Sequence, residues 1–394
     1  MAFPQKNRLV TAKVETTVGT DITPTVGSDA IRASQASPGL TLEVLAIEEE
    51  TGALDNNEQA PNGGFMAPSI QTVLRGSGTA GTAPDFDSLL QSCAMGVTTL
   101  ASAVADTAQA ATASTLQLAS ADVTTDGDYV GMVIELTAGT GYSASDAKQN
   151  RRVITASVAS TDTVTIYPDW SVTPDATTTY SIRACNLYRP ISTAIKSSSI
   201  YVYERGDSAE DARLFKALGC RGTFAVNLPT RGPGDITFNL RGALQAPGDV
   251  TDPGDPTLDT SRPFSWIDAQ TYLGGTSVCM NALTIDEAAE VVVTQCQNEP
   301  YGYENAAINS RRFNGTINPR AVNIATRDVF TAWAAQTSQK FWTAFGPSAG
   351  NRLSIYIPEL LYGGTSAQEI DGFIHDSIPW LAGGKNTGAY FCFF

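Results

Sequence analysis

Apolar and polar residues take turns along much of this 394-residue chain. Val10, Ala12 and Val14, then Leu40, Leu42, Val44 and Ala46, and later Leu353, Ile355 and Ile357 each stand two apart. Successive side chains of a strand point to opposite faces, so these rows predict strands with one buried face. The sharpest case is a hairpin: Phe224, Val226 and Leu228 alternate, PTRGPG supplies a turn, and Ile236, Phe238 and Leu240 alternate again. Helical signals are few. Pro84 suits a first helical position, Asp85 and Asp87 suit the positive end of the dipole, and Phe86, Leu89, Leu90 and Cys93 form a stripe. A second short helix is expected from Thr326, as N-cap, through Phe330 and Trp333. The expected class is mainly β, with one or two short helices.

Twenty-five Lys and Arg against forty Asp and Glu leave 15 net negative charges. Binding to nucleic acid by counterion release needs a basic surface, which this balance does not supply. Charged residues are only 16% of the chain, where about 25% is usual, so much of the surface is neutral. Seven of the basic residues are Lys and the rest Arg, the cation enriched at protein interfaces, which favours a subunit of an assembly. MAFPQKNRLV lacks the apolar core of a signal peptide, and no window reaches about 18 apolar residues, so neither export nor membrane spanning is expected. The closing YFCFF looks like the end of an outer-membrane barrel, but such barrels carry a signal peptide. Cys93, Cys185, Cys220, Cys279, Cys296 and Cys392 show no paired spacing and read as reduced, half-buried thiols.

An Ala, Thr and Ser tract over residues 96–113 has no periodicity and reads as a linker. Short strand-like pieces follow, around Leu116, Val130 to Leu136, Val153, Val164 and Tyr180, separated by polar turns. Residues 108–185 are therefore expected to form a small all-β insert in a discontinuous core of residues 1–107 and 186–394; the other possibility is that they extend the main sheet. Residues 245–263, rich in Pro, Gly and Asp, are expected to be an exposed loop.

Candidate chemistry is thin. GSGTAG at residues 76–81 matches the dinucleotide-binding GxGxxG, but no helix begins inside it and no strand ending in an acid follows at the needed distance. Arg205-Gly206-Asp207 spells an adhesion tripeptide where a turn is wanted. Asp249, Asp252, Asp255 and Asp259 could suggest calcium, yet Pro253 and Pro256 break the EF-hand pattern. His375, the single histidine, has no nucleophile motif beside it. Carboxylate pairs for glycoside cleavage are set by spatial distance, and nothing in the order of residues selects one. No enzyme, cofactor or metal is expected.

The segment IQTVLRGSGTAGTAPDFDSLLQSCAM, residues 70–95, closely resembles a signature of tail tube proteins of long-tailed bacteriophages. LVTAKVETTVGTDITPTVGSDAI at residues 9–31 is similar to the opening of that family. So are IYVYERG, LGCRGTFAVNLPTRGPGDITFNLRG, INSRRFNGTINPRAV and FGPSAGNRLSIYIPE. YVGMVIELTAGTGYS and VTIYPDWSVTPDATTTYSI in the insert look like a small β module of phage structural proteins, one that the simplest tube subunits lack.

The resemblance implies a β-sandwich or barrel core whose copies join edge to edge into six-fold rings. Rings stack into a hollow tube of the non-contractile type, with the insert on the outside. It implies a place in the virion tail after assembly in the host cytoplasm. The implied partners are further copies, a tape-measure protein, a tail terminator and baseplate or distal tail proteins. Genomic DNA passes without specific binding, and no membrane is involved. Open strand edges, usually blunted by Lys or Pro, need no such protection when they are shared around a ring. Carboxylates lining a bore repel phosphates over roughly 8 Å in physiological salt, so DNA slides without adhering. EEETGALDNNEQAPNGGF at residues 48–65 is a connection of the kind that in tail tubes meets the neighbouring ring. Its acids Glu48, Glu49, Glu50, Asp55 and Glu58 are expected near the lumen or paired to Arg across that contact. The alternative function is a phage surface module that grips host glycans through the insert.

Overall fold

The 18-residue strand Ala212–Pro229 organises the molecule. In the computed structural model, which describes residues 3–47, 49–50, 58–206 and 211–394, its second half forms the expected hairpin. Phe224 stands opposite Phe238, and Val226 opposite Ile236, in Asp235–Leu244. A layer of antiparallel strands grows from this pair in both directions. On one side lie Ser69–Val73 and Ala33–Ser37; on the other lie Met280–Asp286, Asn314–Pro319 and Phe373–Ala382. A second layer runs Gln270–Leu273, Gln339–Ser348, Asn351–Tyr362, Tyr390–Phe393, Cys185–Pro190, Met95–Leu100. The layers are continuous because Asn351–Tyr362 pairs with Tyr390–Phe393 through its first half and with Phe373–Ala382 through its end. The fold is a mainly β sandwich, with two short α-helices among the described residues.

Inner faces meet in one apolar core. The Phe224 ring centre lies 5.7 Å from Phe391 and 6.1 Å from Phe313, and Leu353, Ile355 and Ile357 are fully buried among them. Each such side chain contributes roughly 1.5–3 kcal/mol by leaving water. At the other end of the long strand, Ser198–Arg205 pairs with it and Arg8–Val14 pairs with Ser198–Arg205 in turn. A bulge between Leu218 and Arg221 puts Gly219 at a φ of +60°. Its N–H donates to the buried carboxylate of Glu15, which also accepts from Gly19 N–H and from the Ser197 and Ser199 hydroxyls. Four donors stand in for the water that the carboxylate has lost.

The stripe Phe86, Leu89, Leu90 and Cys93 is buried, but the α-helix covers only Asp87–Ser92, so Pro84 lies ahead of it rather than at its first position. The acids there do not simply face the dipole. Asp85 accepts from the Arg32 N–H at 2.9 Å, and Asp87 from the Tyr188 hydroxyl at 2.7 Å. The second helix is Val329–Ala334, capped by Asp328 instead of Thr326: the Asp328 carboxylate accepts from Thr331 N–H at 2.8 Å. It sits at the spacing a cap requires, which Thr326 does not.

The Ala/Thr/Ser tract is not a linker. Met95–Leu100 pairs along its whole length with Cys185–Pro190, and Val104–Thr107 and Ala110–Ala111 are strands as well. Thr and Val favour a pleated backbone even where their side chains are too few to signal a core, and the Thr99 hydroxyl donates to Asn186 Oδ1 at 2.8 Å. The strands between Val104 and Ile182 form a seven-stranded sheet of their own. Cys185, placed with the insert from the sequence, already belongs to the second layer. The apolar face of the small sheet packs on Cys185, Leu187, Cys392 and Phe394, so YFCFF is an internal seam. Tyr167 reinforces it by donating to the Lys340 carbonyl and accepting from Gly275 N–H, both at 2.8 Å. Residues 245–263 carry one short strand, Gly248–Val250, and are otherwise irregular.

Candidate assembly interface

Leu40–Ala46 folds back on Gln59–Met66 as a hairpin that leaves the sandwich. Only its root is held by the first layer, where Met66 pairs with Gly242 and Phe65 with Ala243. Leu40–Ala46 has a single strand neighbour among the described residues, so its outer edge of N–H and C=O groups is open. The alternation Leu40, Leu42, Val44, Ala46 is a strand as expected, but the expected buried face is absent. Leu42 is 62% and Val44 66% exposed, and Leu40, Leu45 and Ile47 are exposed as well. Nothing in the described chain covers this row.

A second hairpin, Glu290–Gln295 with Tyr303–Ser310, stands beside the first. Gly64 N–H donates to the Tyr301 carbonyl at 3.0 Å, the Tyr303 hydroxyl donates to Glu43 at 2.9 Å, and the Tyr303 ring meets Phe65 edge-on at 5.4 Å. Gly63 has a φ of +111°, and a Cβ there would lie 2.8 Å from the Tyr301 carbonyl oxygen, so glycine is required for the close approach. Arg241 lies over the Phe65 ring and donates to the Val291 carbonyl. These contacts stiffen the projection without covering its apolar side.

Of the five acids singled out from the sequence, Glu49, Glu50 and Glu58 lie exposed at the far end of this hairpin, where Ile47 N–H donates to the Glu58 carbonyl. Glu48 and Asp55 lie outside the described residues. Three of the five thus lie at the described end of the Leu40–Ala46 hairpin. The sequence reading missed Leu42, Val44, Glu43 and Tyr303. One signal was present: Pro61, Gly63 and Gly64 within Gln59–Met66 mark an edge or a close approach rather than a central strand.

The remaining candidates have structural roles. In GSGTAG, Gly76 N–H donates to Asn351 Oδ1 and Gly78 N–H to the Gly350 carbonyl, and a Cβ on Gly76 would lie 2.2 Å from that carbonyl oxygen. The run is shaped to meet the turn of the FGPSAGN segment. Arg205 Nε donates to both carboxylate oxygens of Asp252, at 2.8 and 2.9 Å, and its guanidinium also reaches Asp255. Asp207 lies outside the described residues. His375 is buried, its Nδ1 2.9 Å from the Asn318 carbonyl. Among the described residues no cluster of His, Cys, Asp and Glu is arranged to hold a metal, and no helix is long and apolar enough to cross a membrane. Glu287 is fully buried with neither carboxylate oxygen hydrogen-bonded; burial pushes its pKa well above the ordinary range, while nearby Arg311 pulls the other way.

The outward face of the first layer holds a shallow, open concavity of about 510 Å³, in which Asn227, Asp235, Thr237, Thr284, Asp286 and Thr316 alternate with apolar surface from Ala225, Ile285, Pro379 and Trp380. Several of these polar groups are engaged: the Gln71 and Asn227 amides donate to Asp235, Ala288 N–H donates to Asp286, and the Thr284 and Thr316 hydroxyls lie 2.8 Å apart. Such a face offers few free donors to an anion. Comparison with protein-family models and with curated proteins finds no match.

Proposed function

We propose that this chain is the structural subunit of a bacteriophage tail tube, and that its copies close into six-fold rings stacked around a conduit for DNA. The observation that carries the reading is the Leu40–Ala46 hairpin, whose apolar row and backbone edge are both left open among the described residues. An isolated soluble protein gains nothing from such an edge and risks uncontrolled pairing, whereas a subunit uses it to bind its neighbour. The resemblance of residues 70–95 and of the flanking segments supports the same assignment.

On this reading the outward face of the first layer, which carries the carboxylates of Asp235 and Asp286 and, among the described residues, no Lys or Arg in its concavity, suits the bore. Fifteen net negative charges per copy keep DNA phosphates from adhering. The seven-stranded sheet lies outside the tube. The tape-measure protein, tail terminator and baseplate or distal tail proteins are the partners at the bore and the two ends. Negative-stain images of the purified chain, or of particles containing it, test the proposal. Hollow tubes of stacked six-fold rings are expected, and a solitary globule in both preparations overturns it.

A further inference from the structure

The two ends of the first layer can be told apart, because its strands are in register. The Leu40–Ala46 hairpin leaves from the end marked by Gly242, Asp286 and Asn314. At the opposite end, marked by Pro229, Met280 and Pro319, the chain exposes a second apolar surface. Val322 and Ile324 follow Asn314–Pro319, Phe373 and Ile374 open Phe373–Ala382, and the helix between these strands carries Phe330 and Trp333. Ile324 is 75% and Phe330 72% exposed. Firm contacts fix this surface: Ala321 N–H donates to the Ile374 carbonyl at 3.0 Å, Arg320 lies 4.0 Å over the Phe373 ring, and Arg327 pairs with Asp376 at 3.0 Å. Among the described residues Ser366–Ile370 beside it pairs with Phe373–Ala382 alone, so it too has an open edge.

We infer that the hairpin of one copy docks on the Val322, Ile324, Phe330, Trp333, Phe373 and Ile374 surface of the next copy, head to tail. The inference rests on the tube reading and assigns the receptor for its hairpin. Three observations select a second copy as the occupant. Both surfaces are apolar and both carry an open strand edge. They lie at opposite ends of one layer, so the contact is heterologous and repeats from copy to copy without being used up. Leu42, Val44, Ile324, Phe330 and Ile374 are each more than 60% exposed, so the free energy of burying them is still to be gained on association. Contact at the projection is therefore made by Leu42 and Val44, with the acidic tip at its margin.

The test places the photo-crosslinking amino acid p-benzoylphenylalanine at Val44 and irradiates assembled tubes. Expected are adducts between copies that map to residues 320–336 or 366–374. Intact tubes whose adducts fall only elsewhere, or that give none, overturn the inference and leave the tube reading standing. Absence of tubes from both unsubstituted protein and particles overturns the tube reading and the inference with it, and images show this before any irradiation. As an independent arm, Ile324→Glu with Ile374→Glu changes only exposed side chains. Its melting temperature is expected to stay that of the parent chain while tube mass falls at least tenfold in favour of unstacked rings. Tubes of normal length and yield from this variant overturn the inference.

Discussion

Leu353, Ile355 and Ile357 share a two-residue period with Leu40, Leu42 and Val44, yet the first three are fully buried and the second three stand in the open. The difference lies in their neighbours. Asn351–Tyr362 has strands on both edges, the sandwich core on one face and, through Tyr356 and Trp342, the seven-stranded sheet on the other. Among the described residues Leu40–Ala46 has one strand on one edge and no layer over its apolar row. Alternation therefore specifies a face that must be covered, without saying whether its own chain or another copy covers it. In the core the free energy of burial is realised on folding; on the hairpin it is not realised within the described chain, and on the tube reading proposed above association would realise it.

If that distinction is sound, truncation in the two regions has opposite consequences. The largest loss of stability is expected in the core, at Phe224, which is fully buried against Phe238, Phe313 and Phe391. Phe224→Ala leaves a cavity between the layers and costs about 3–5 kcal/mol. Urea unfolding of the unassembled chain measures it. A loss below about 1 kcal/mol means that the layers do not share a tight core and that the comparison is drawn in the wrong place.

A buried charge sharpens the comparison from the opposite side, because it is covered at a cost. Glu287 has lost water without gaining a hydrogen bond, so folding favours its protonated form. Below its ordinary value of 4.5 the carboxyl is protonated in both states and its contribution to stability is fully present. As pH rises towards the elevated folded value, the unfolded chain releases a proton that the folded chain retains, and that contribution is lost. Glu287→Gln is thus expected to raise stability at pH 8 by on the order of 1–3 kcal/mol and to do much less at pH 4. Melting curves of the two chains across this range check the sign. A parallel offset at every pH rules out the buried proton as the cause.

Most of the sandwich was legible because its signals are local. The Phe224/Phe238 register follows from alternation around a turn, and the Phe86 stripe marks the helix that fills the gap beside Arg8–Val14. The tract over residues 96–113 was not legible, since Thr and Ala strands held by backbone pairing and an Asn186 contact carry almost no hydrophobic period. Exposure was legible least of all. Within the two strands nothing distinguishes Val44, which is uncovered, from Ile355, which is fully buried; the one sign lies in the strand paired with Val44, where Pro61, Gly63 and Gly64 mark an edge. The acids at residues 48–58 drew attention by their charge, but the side chains that most need a partner are the neutral ones preceding them.

The smallest expected effect decides the comparison most directly. Leu42 and Val44 lose little exposure when the single chain folds, so Leu42→Thr with Val44→Thr removes almost no burial from the monomer, and β-branched Thr keeps the strand preference. The unfolding free energy of the unassembled double variant is expected to stay within about 0.5 kcal/mol of the parent. The same exchange at Ile355 puts a hydroxyl into the core and removes carbon packed against both layers. If the hairpin variant instead loses more than about 1 kcal/mol, those side chains are already buried within the folded chain in solution. The hairpin would then be folded down as part of the core, with no apolar row left to offer a second copy.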